Sequence, residues 1–168
     1  LAAAAICREL DLNNKEIING LKSFNGIKRR YEVQINREDL VFVDDYAHHP
    51  EEIKATINAT KSLFPEREIT VVFQPHLFSR TKNLANEFAQ ALSLASEVII
   101  LEVYPARELP IKGVSSKLLL NKCNALKKEL CDKKQLLSLL EKKKIDILLT
   151  LGAGDISALV KPIKHMLN

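Results

Sequence analysis

The sequence predicts an α/β fold: a Rossmann-like, mostly parallel sheet with one antiparallel strand and helices on both faces. Three observations carry this. From residue 40 onward, short β-branched runs alternate with segments of helical periodicity. The runs are apolar almost throughout, as strands covered on both faces are. The link between the first two strand-like runs (31–35 and 40–43) is too short for a crossover, so that pair is antiparallel.

Residues 1–10 and 14–23 read as helices, with Ile17, Ile18 and Leu21 on one face, and Asn25-Gly26 breaks the second. Tyr31-Glu32-Val33-Gln34-Ile35 alternates as a strand should, and Leu40-Val41-Phe42-Val43 follows after a turn at 36–39. Residues 51–63 form a helix stopped at Pro65. Residues 69–73 form a strand, 81–94 a helix and 98–103 a strand. A loop with Pro105, Pro110 and Gly113 leads to a short helix at 115–121, a weak strand at 126–131 and a helix at 133–143. Residues 145–151 are the last strand and 156–167 the last helix.

The chain has 168 residues, enough for one domain of ordinary size, and is 46% hydrophobic and 27% charged, as in soluble globular proteins. Its net charge of +4 collects in Lys127-Lys128, Lys133-Lys134 and Lys142-Lys143-Lys144. These pairs and the triplet interleave with apolar residues at helical spacing, which argues for a solvated face and against a nucleic-acid patch. Cys7, Cys123 and Cys131 have no metal-type spacing, and their odd number argues against a disulfide framework, so a reduced, cytoplasmic setting is expected. No apolar stretch is long enough to span a bilayer. The chain runs from Leu1 straight into Ala2-Ala3-Ala4-Ala5-Ile6, a helical pattern without a start signal, and is expected to be a segment of a longer protein.

In a parallel sheet the loops leaving the carboxyl ends of the strands share one rim, where open α/β sheets bind ligands. Four distinctive segments fall there. Asp44-Asp45-Tyr46-Ala47-His48-His49-Pro50 offers two carboxylates, a phenol and two imidazoles. These suit zinc or manganese as donors, but neighbouring residues near a strand end point to opposite sides, and His76 would have to complete the set. A carboxylate on a nucleotide ribose with a histidine near a substrate anion requires less, and no metal site is assigned. In Gln74-Pro75-His76-Leu77-Phe78-Ser79-Arg80-Thr81, Ser79 or Thr81 is expected to cap a helix, and His76 with Arg80 to bind an anion. Arg107 and Glu108, in Tyr104-Pro105-Ala106-Arg107-Glu108, read by default as a surface ion pair. Gly152-Ala153-Gly154-Asp155 reads equally as half a phosphate loop or as a tight turn that needs small residues, since Ser157 replaces the third glycine.

These residues, with Phe24-Asn25-Gly26-Ile27-Lys28-Arg29-Arg30-Tyr31, Phe73 to Thr81, Glu102 to Glu108 and Gly152 to Ile156, resemble the C-terminal domain of the ATP-dependent Mur ligases of peptidoglycan synthesis. The resemblance implies that residues 1–25 are the tail of a central ATP-binding domain and 26–168 the C-terminal domain. It implies that Arg30 lies near the nucleotide phosphates in a catalytic role and that Asp45 reaches the ATP ribose region. His48, also catalytic, would face the amino acid and the muramoyl carboxylate together with His76 and Arg80. Leu77 departs from the pattern, which often has arginine there. The 74–81 segment points to the alanine-adding branch, with UDP-N-acetylmuramate, L-alanine and ATP as partners and Mg2+ held mainly by the central domain. The P-loop and the UDP-sugar domain are absent from this chain, so it is expected to fold but not to catalyse alone. Two alternatives stay open: a recycling branch that adds a tripeptide and shares the Asp44–Pro50 element, and a non-catalytic nucleotide- or metal-binding module.

Overall fold

A computed structural model describes residues 2–24 and 26–168. The expected roles of Leu1 in the first helix and of Asn25 at the break lie outside the described residues. The elements run in the order α1 (Ala2–Glu9), α2 (Asn14–Ser23), β1 (Glu32–Asn36), β2 (Val41–Asp45), α3 (Pro50–Leu63), β3 (Ile69–Phe73), α4 (Phe78–Asn83) and α5 (Ala85–Leu92). There follow β4 (Glu97–Ile100), α6 (Ser116–Lys122), β5 (Lys127–Leu130), α7 (Leu136–Leu140), β6 (Ile147–Leu151) and α8 (Ser157–Leu167).

The strands form one six-stranded sheet in the order β1-β2-β6-β3-β4-β5. Only β1 and β2 pair antiparallel; every other neighbouring pair is parallel. Alternation along each strand splits the core in two. Val41, Val43, Val71, Phe73, Val98, Ile100, Leu149 and Leu151 pack with Ile53, Ile57, Phe88, Leu92 and Leu119 of α3, α5 and α6. Phe42, Val72, Ile99 and Leu148 point the other way, against Leu136, Leu140, Val160 and Ile163 of α7 and α8. Both faces are therefore covered, and the polar work is left to the rims.

The elements differ from the sequence expectation in four places. Asp44 and Asp45 belong to β2, paired in register with Thr150 and Leu151, instead of following it. The helix expected over 81–94 begins at Phe78 and is broken at Leu84, whose backbone (φ −114°, ψ 24°) leaves the helical region and ends α4 while starting α5. The strand expected over 98–103 ends at Ile100, because the next residues bend toward β3's loop: Tyr104 N–H donates to Pro75 O. The helix expected over 133–143 is confined to Leu136–Leu140. Outside the sheet, α1 buries no described residue and α2 buries only Ile17, while Ile6, Leu10, Ile18, Leu21, Phe24 and Ile27 are exposed. No helix among the described residues is long and apolar enough to cross a membrane.

The placement of β6 between β2 and β3 sets the site. It makes the loops after β2, β6 and β3 neighbours on one rim, with the loop after β4 beside them.

Candidate functional site

The end of β2 is committed to structure. Asp44 is buried and accepts from Arg29 Nε at 2.9 Å and from the Thr150 hydroxyl at 2.8 Å. Arg29 also donates through Nη2 to Gly152 O at 2.6 Å, joining the incoming segment to the loop after β6. Asp45, 8% exposed, accepts Tyr31 N–H on one oxygen and Ala47 N–H on the other, both at 2.8 Å. These bonds hold residues 29–31 in a tight bend with φ of 58° at Arg29 and 47° at Tyr31, conformations that side chains seldom adopt without such support.

Beyond β2 the chain presents Tyr46, whose ring carries the Arg29 and Arg30 guanidinium carbons at 5.2 and 5.6 Å and the His48 ring edge-on at 5.1 Å. His48 Nδ1 stands 3.0 Å from Tyr46 O and 3.2 Å from a Glu52 oxygen. That oxygen also accepts the N–H groups of His48 and His49, and so anchors the start of α3. Burial pushes the Glu52 carboxyl up, but the His48 N–H, the His48 ring, the His49 N–H and Arg30 outweigh it and hold it below the ordinary carboxylate range. Arg30 is half exposed and touches Glu52 only loosely, at 3.9 Å.

Across the rim, His76 and Arg80 bracket the start of α4. His76 stands edge-on to His48 with ring centres 6.2 Å apart, and it stacks on Tyr104 at 5.5 Å. Burial, and then the charges of Arg80 and His48, hold the His76 imidazole below the ordinary histidine value against the pull of Glu108. Two buried side-chain nitrogens here, His76 Nδ1 and Arg80 Nη1, have no hydrogen-bond partner among the described residues. Buried polar atoms are normally paired, so this is unspent binding capacity. Leu77, between them, has φ 72° and ψ 132°, a strained conformation that turns the chain from β3 into α4.

Neither Ser79 nor Thr81 caps that helix: the Thr81 hydroxyl donates back to Leu77 O, and Ser79 is itself held. Glu108 does the capping, accepting Ser79 N–H at 2.9 Å and the Ser79 hydroxyl. Those two bonds hold the Glu108 carboxyl below its usual value. Arg107 makes no ion pair with it among the described residues, so the surface pair read from the sequence is replaced by a cap.

The Gly152–Asp155 loop resolves in favour of the tight turn. A Cβ on Gly152, where φ is 145°, would stand 2.8 Å from Gln74 O; one on Gly154 would stand 2.8 Å from Tyr104 Cγ. Gln74 crosses the gap, donating to Asp155 at 2.7 Å and accepting Ile156 N–H at 2.8 Å. Asp155 also pairs with Lys133. Burial raises the Asp155 carboxyl, but Lys133 and Gln74 lower it further.

Of the residues singled out by sequence, His48, His76 and Arg80 gather on one side of the rim. Arg30 stands beside Tyr46 and Glu52, and Asp45 lies beneath them in the β2 end. No group of three or more His, Cys, Asp or Glu able to hold a metal occurs among the described residues. Sequence assigns no role to Tyr104, Arg29 or Gln74, and to Glu108 only that of a surface ion pair. The signal for Tyr104 and for the capping by Glu108 was their place in a rim loop.

The fold and this rim define a class, an α/β domain with its polar, partly unpaired groups gathered at the carboxyl ends of its strands, and the comparisons make it specific. Residues 29–154 match the family model of the Mur ligase, glutamate ligase domain, and the chain belongs to that family. It is 46% identical over 168 residues to the UDP-N-acetylmuramate–L-alanine ligase of Flavobacterium psychrophilum, covering all of this chain and 38% of that protein. It is 44% identical over 169 residues to the enzyme of the same name from Phocaeicola vulgatus, covering 37% of it. The solved UDP-N-acetylmuramate-alanine ligase of Thermotoga maritima superposes with a TM-score of 0.80 at 26% identity, over 99% of this chain and 36% of that one. The murein peptide ligase of Psychrobacter arcticus shares the fold, with a TM-score of 0.67 at 21% identity over 98% of this chain and 35% of its own. The chain thus spans little more than a third of the length of these relatives.

Proposed function

We propose that this chain is the C-terminal part of an ATP-dependent ligase that joins L-alanine to UDP-N-acetylmuramate in peptidoglycan synthesis, in the cytoplasm. The observation that carries the reading is the pair of buried, unpartnered nitrogens on His76 and Arg80, beside His48. An arginine and a histidine, each with a buried nitrogen that lacks a bond, favour a carboxylate beside them, which would restore the missing bonds. The alanine carboxylate or the muramoyl carboxylate fits that description. Arg30, half exposed and loosely paired, is free to meet a phosphate oxygen of ATP. Each Asp45 oxygen already accepts one backbone N–H, so a ribose hydroxyl would take a remaining lone pair.

The reaction has two steps. The lactyl carboxylate attacks the γ-phosphorus of ATP, releasing ADP and forming an acyl phosphate. The amine of alanine then attacks the acyl carbon, phosphate leaves with the bonding pair, and the nitrogen loses its extra proton. The demand on this domain is to align two reactants and meet developing negative charge, which Arg30, His48, His76 and Arg80 can do. Mg2+ would neutralise phosphate charge, and the resemblance to the Mur ligases supports its being held mainly by the central domain.

Residues 1–25 are proposed as the tail of the preceding ATP-binding domain and 26–168 as the C-terminal domain. The exposed apolar side chains of α1 and α2, set against the closed core of the sheet, support that division.

The test is a chimera in which this chain replaces the matching segment of the Flavobacterium psychrophilum ligase. Alanine-dependent ADP release with UDP-N-acetylmuramate is expected from the chimera and none from the isolated chain. His76→Ala and Arg80→Ala should each raise KM for alanine or for UDP-N-acetylmuramate at least tenfold, the loss of about 1.4 kcal/mol. A chimera that uses a tripeptide but not alanine would refute the assignment, and turnover by the isolated chain would refute the division of labour.

A further inference from the structure

We propose that Tyr104 is a positioning residue for His76, seated beside Gln74 in space that the glycine at 154 leaves open. His76 Nδ1 has no partner, no hydrogen bond to either ring nitrogen occurs among the described residues, and the terminal torsion of a histidine is intrinsically broad. His48 approaches only edge-on, at 74° and 6.2 Å. Tyr104 lies nearly parallel to His76, at 28° and 5.5 Å.

The stack is built on paired backbones. His76 and Tyr104 form an isolated parallel bridge, with Leu77 N–H donating to Tyr104 O at 2.9 Å and Tyr104 N–H to Pro75 O at 2.8 Å. Behind it stands the loop after β6. A Cβ on Gly154 would come within 2.8 Å of Tyr104 Cγ and 2.9 Å of Tyr104 Cβ, closer than side chains tolerate. It would also run into Gln74 Oε1, so the second glycine of Gly152-Ala153-Gly154 makes room for both Gln74 and the tyrosine, and the tyrosine sets the plane of the histidine. Aromatic stacking adds to burial a directional preference that selects one ring orientation. The purpose of that orientation, presenting Nδ1 to a carboxylate, rests on the function proposed above; the stack itself does not.

The experiment is NMR on the 168-residue chain, following the His76 ring protons through a pH titration in wild type, Tyr104→Phe and Tyr104→Leu. In wild type, cross-relaxation between the His76 and Tyr104 rings is expected, along with an upfield ring-current shift on His76. Phe should retain both. Leu should abolish the shift and, by opening the ring to water, move the His76 midpoint up toward the ordinary value. The groups facing His76, namely Arg80, His48 and Glu108, are unchanged in all three proteins. An unchanged His76 shift and midpoint in the leucine variant would overturn the inference. Should that variant not fold, the missing cross-relaxation in wild type alone would overturn it, and its presence would sustain it. No ligand is needed, so a chimera that fails to use alanine would count only against the proposed function, and an unstacked His76 only against this inference.

Discussion

Replacing Arg29 by methionine should be among the most damaging single changes near the rim, although Arg29 lies outside the substrate-facing group. Its side chain is 19% exposed and Asp44's is 1%, so the pair is nearly dry. Removing one partner of such a pair strands the other's charge, at about 3–5 kcal/mol. The Thr150 hydroxyl still serves one Asp44 oxygen, which argues for the lower end, while the lost Arg29 bond to Gly152 O adds about 1 kcal/mol. The expected loss is about 3–4 kcal/mol, or about 6–16 °C in melting temperature for a domain of this size. Urea unfolding followed by far-UV circular dichroism at pH 7 measures it. Arg29→Met with Asp44→Asn should recover much of the loss, because the stranded charge is gone while Thr150 keeps an acceptor. A single variant that loses less than about 1 kcal/mol, or a double variant no better than the single, would refute the account of Arg29 as a buried staple.

Three further outcomes are expected. Gly154→Ala should cost about 1–3 kcal/mol by overpacking against Tyr104 and Gln74, readable as a lowered urea midpoint. His76 titrates below its unfolded value near 6.5, so the unfolded chain binds the extra proton first. Stability from this group is therefore full above that pH and falls as pH drops toward the folded value; the difference between wild-type and His76→Gln stability curves should slope only in that window. Glu108→Gln should weaken the cap of α4, lowering the thermal midpoint and speeding amide exchange at Ser79, whereas Arg107→Gln should do neither.

How much was legible depends on the range of the interaction. The strand at 69–73 was readable to the residue because a run of β-branched side chains needs no distant information. The break at Leu84 was not, since the helical periodicity is the same on either side of it. Asp44 and Asp45 looked like the free end of a strand because polar residues usually sit there. They are buried at the strand end because partners make that tolerable: Arg29 and Thr150, 15 and 106 positions away, for Asp44, and the Tyr31 and Ala47 N–H groups for Asp45. The Gly-Ala-Gly loop was ambiguous for the same reason: its neighbours, Gln74 and Tyr104, come from other loops of the rim.

By itself the sequence determined the alternation of strands and helices, the side of the sheet on which the chemistry-bearing loops emerge, and the family. Periodicity and turn residues are local properties, and five motifs in order are a linear one. Only the tertiary structure decided which members of those motifs are free. Inserting β6 between β2 and β3 brings three loops within hydrogen-bonding reach. There Asp44, Asp45, Asp155 and Gly154 are used to hold the rim, while His76 and Arg80 keep buried nitrogens unpaired. A side chain's availability depends on which partners lie within about 3 Å, and that distance is set by the packing of the whole sheet.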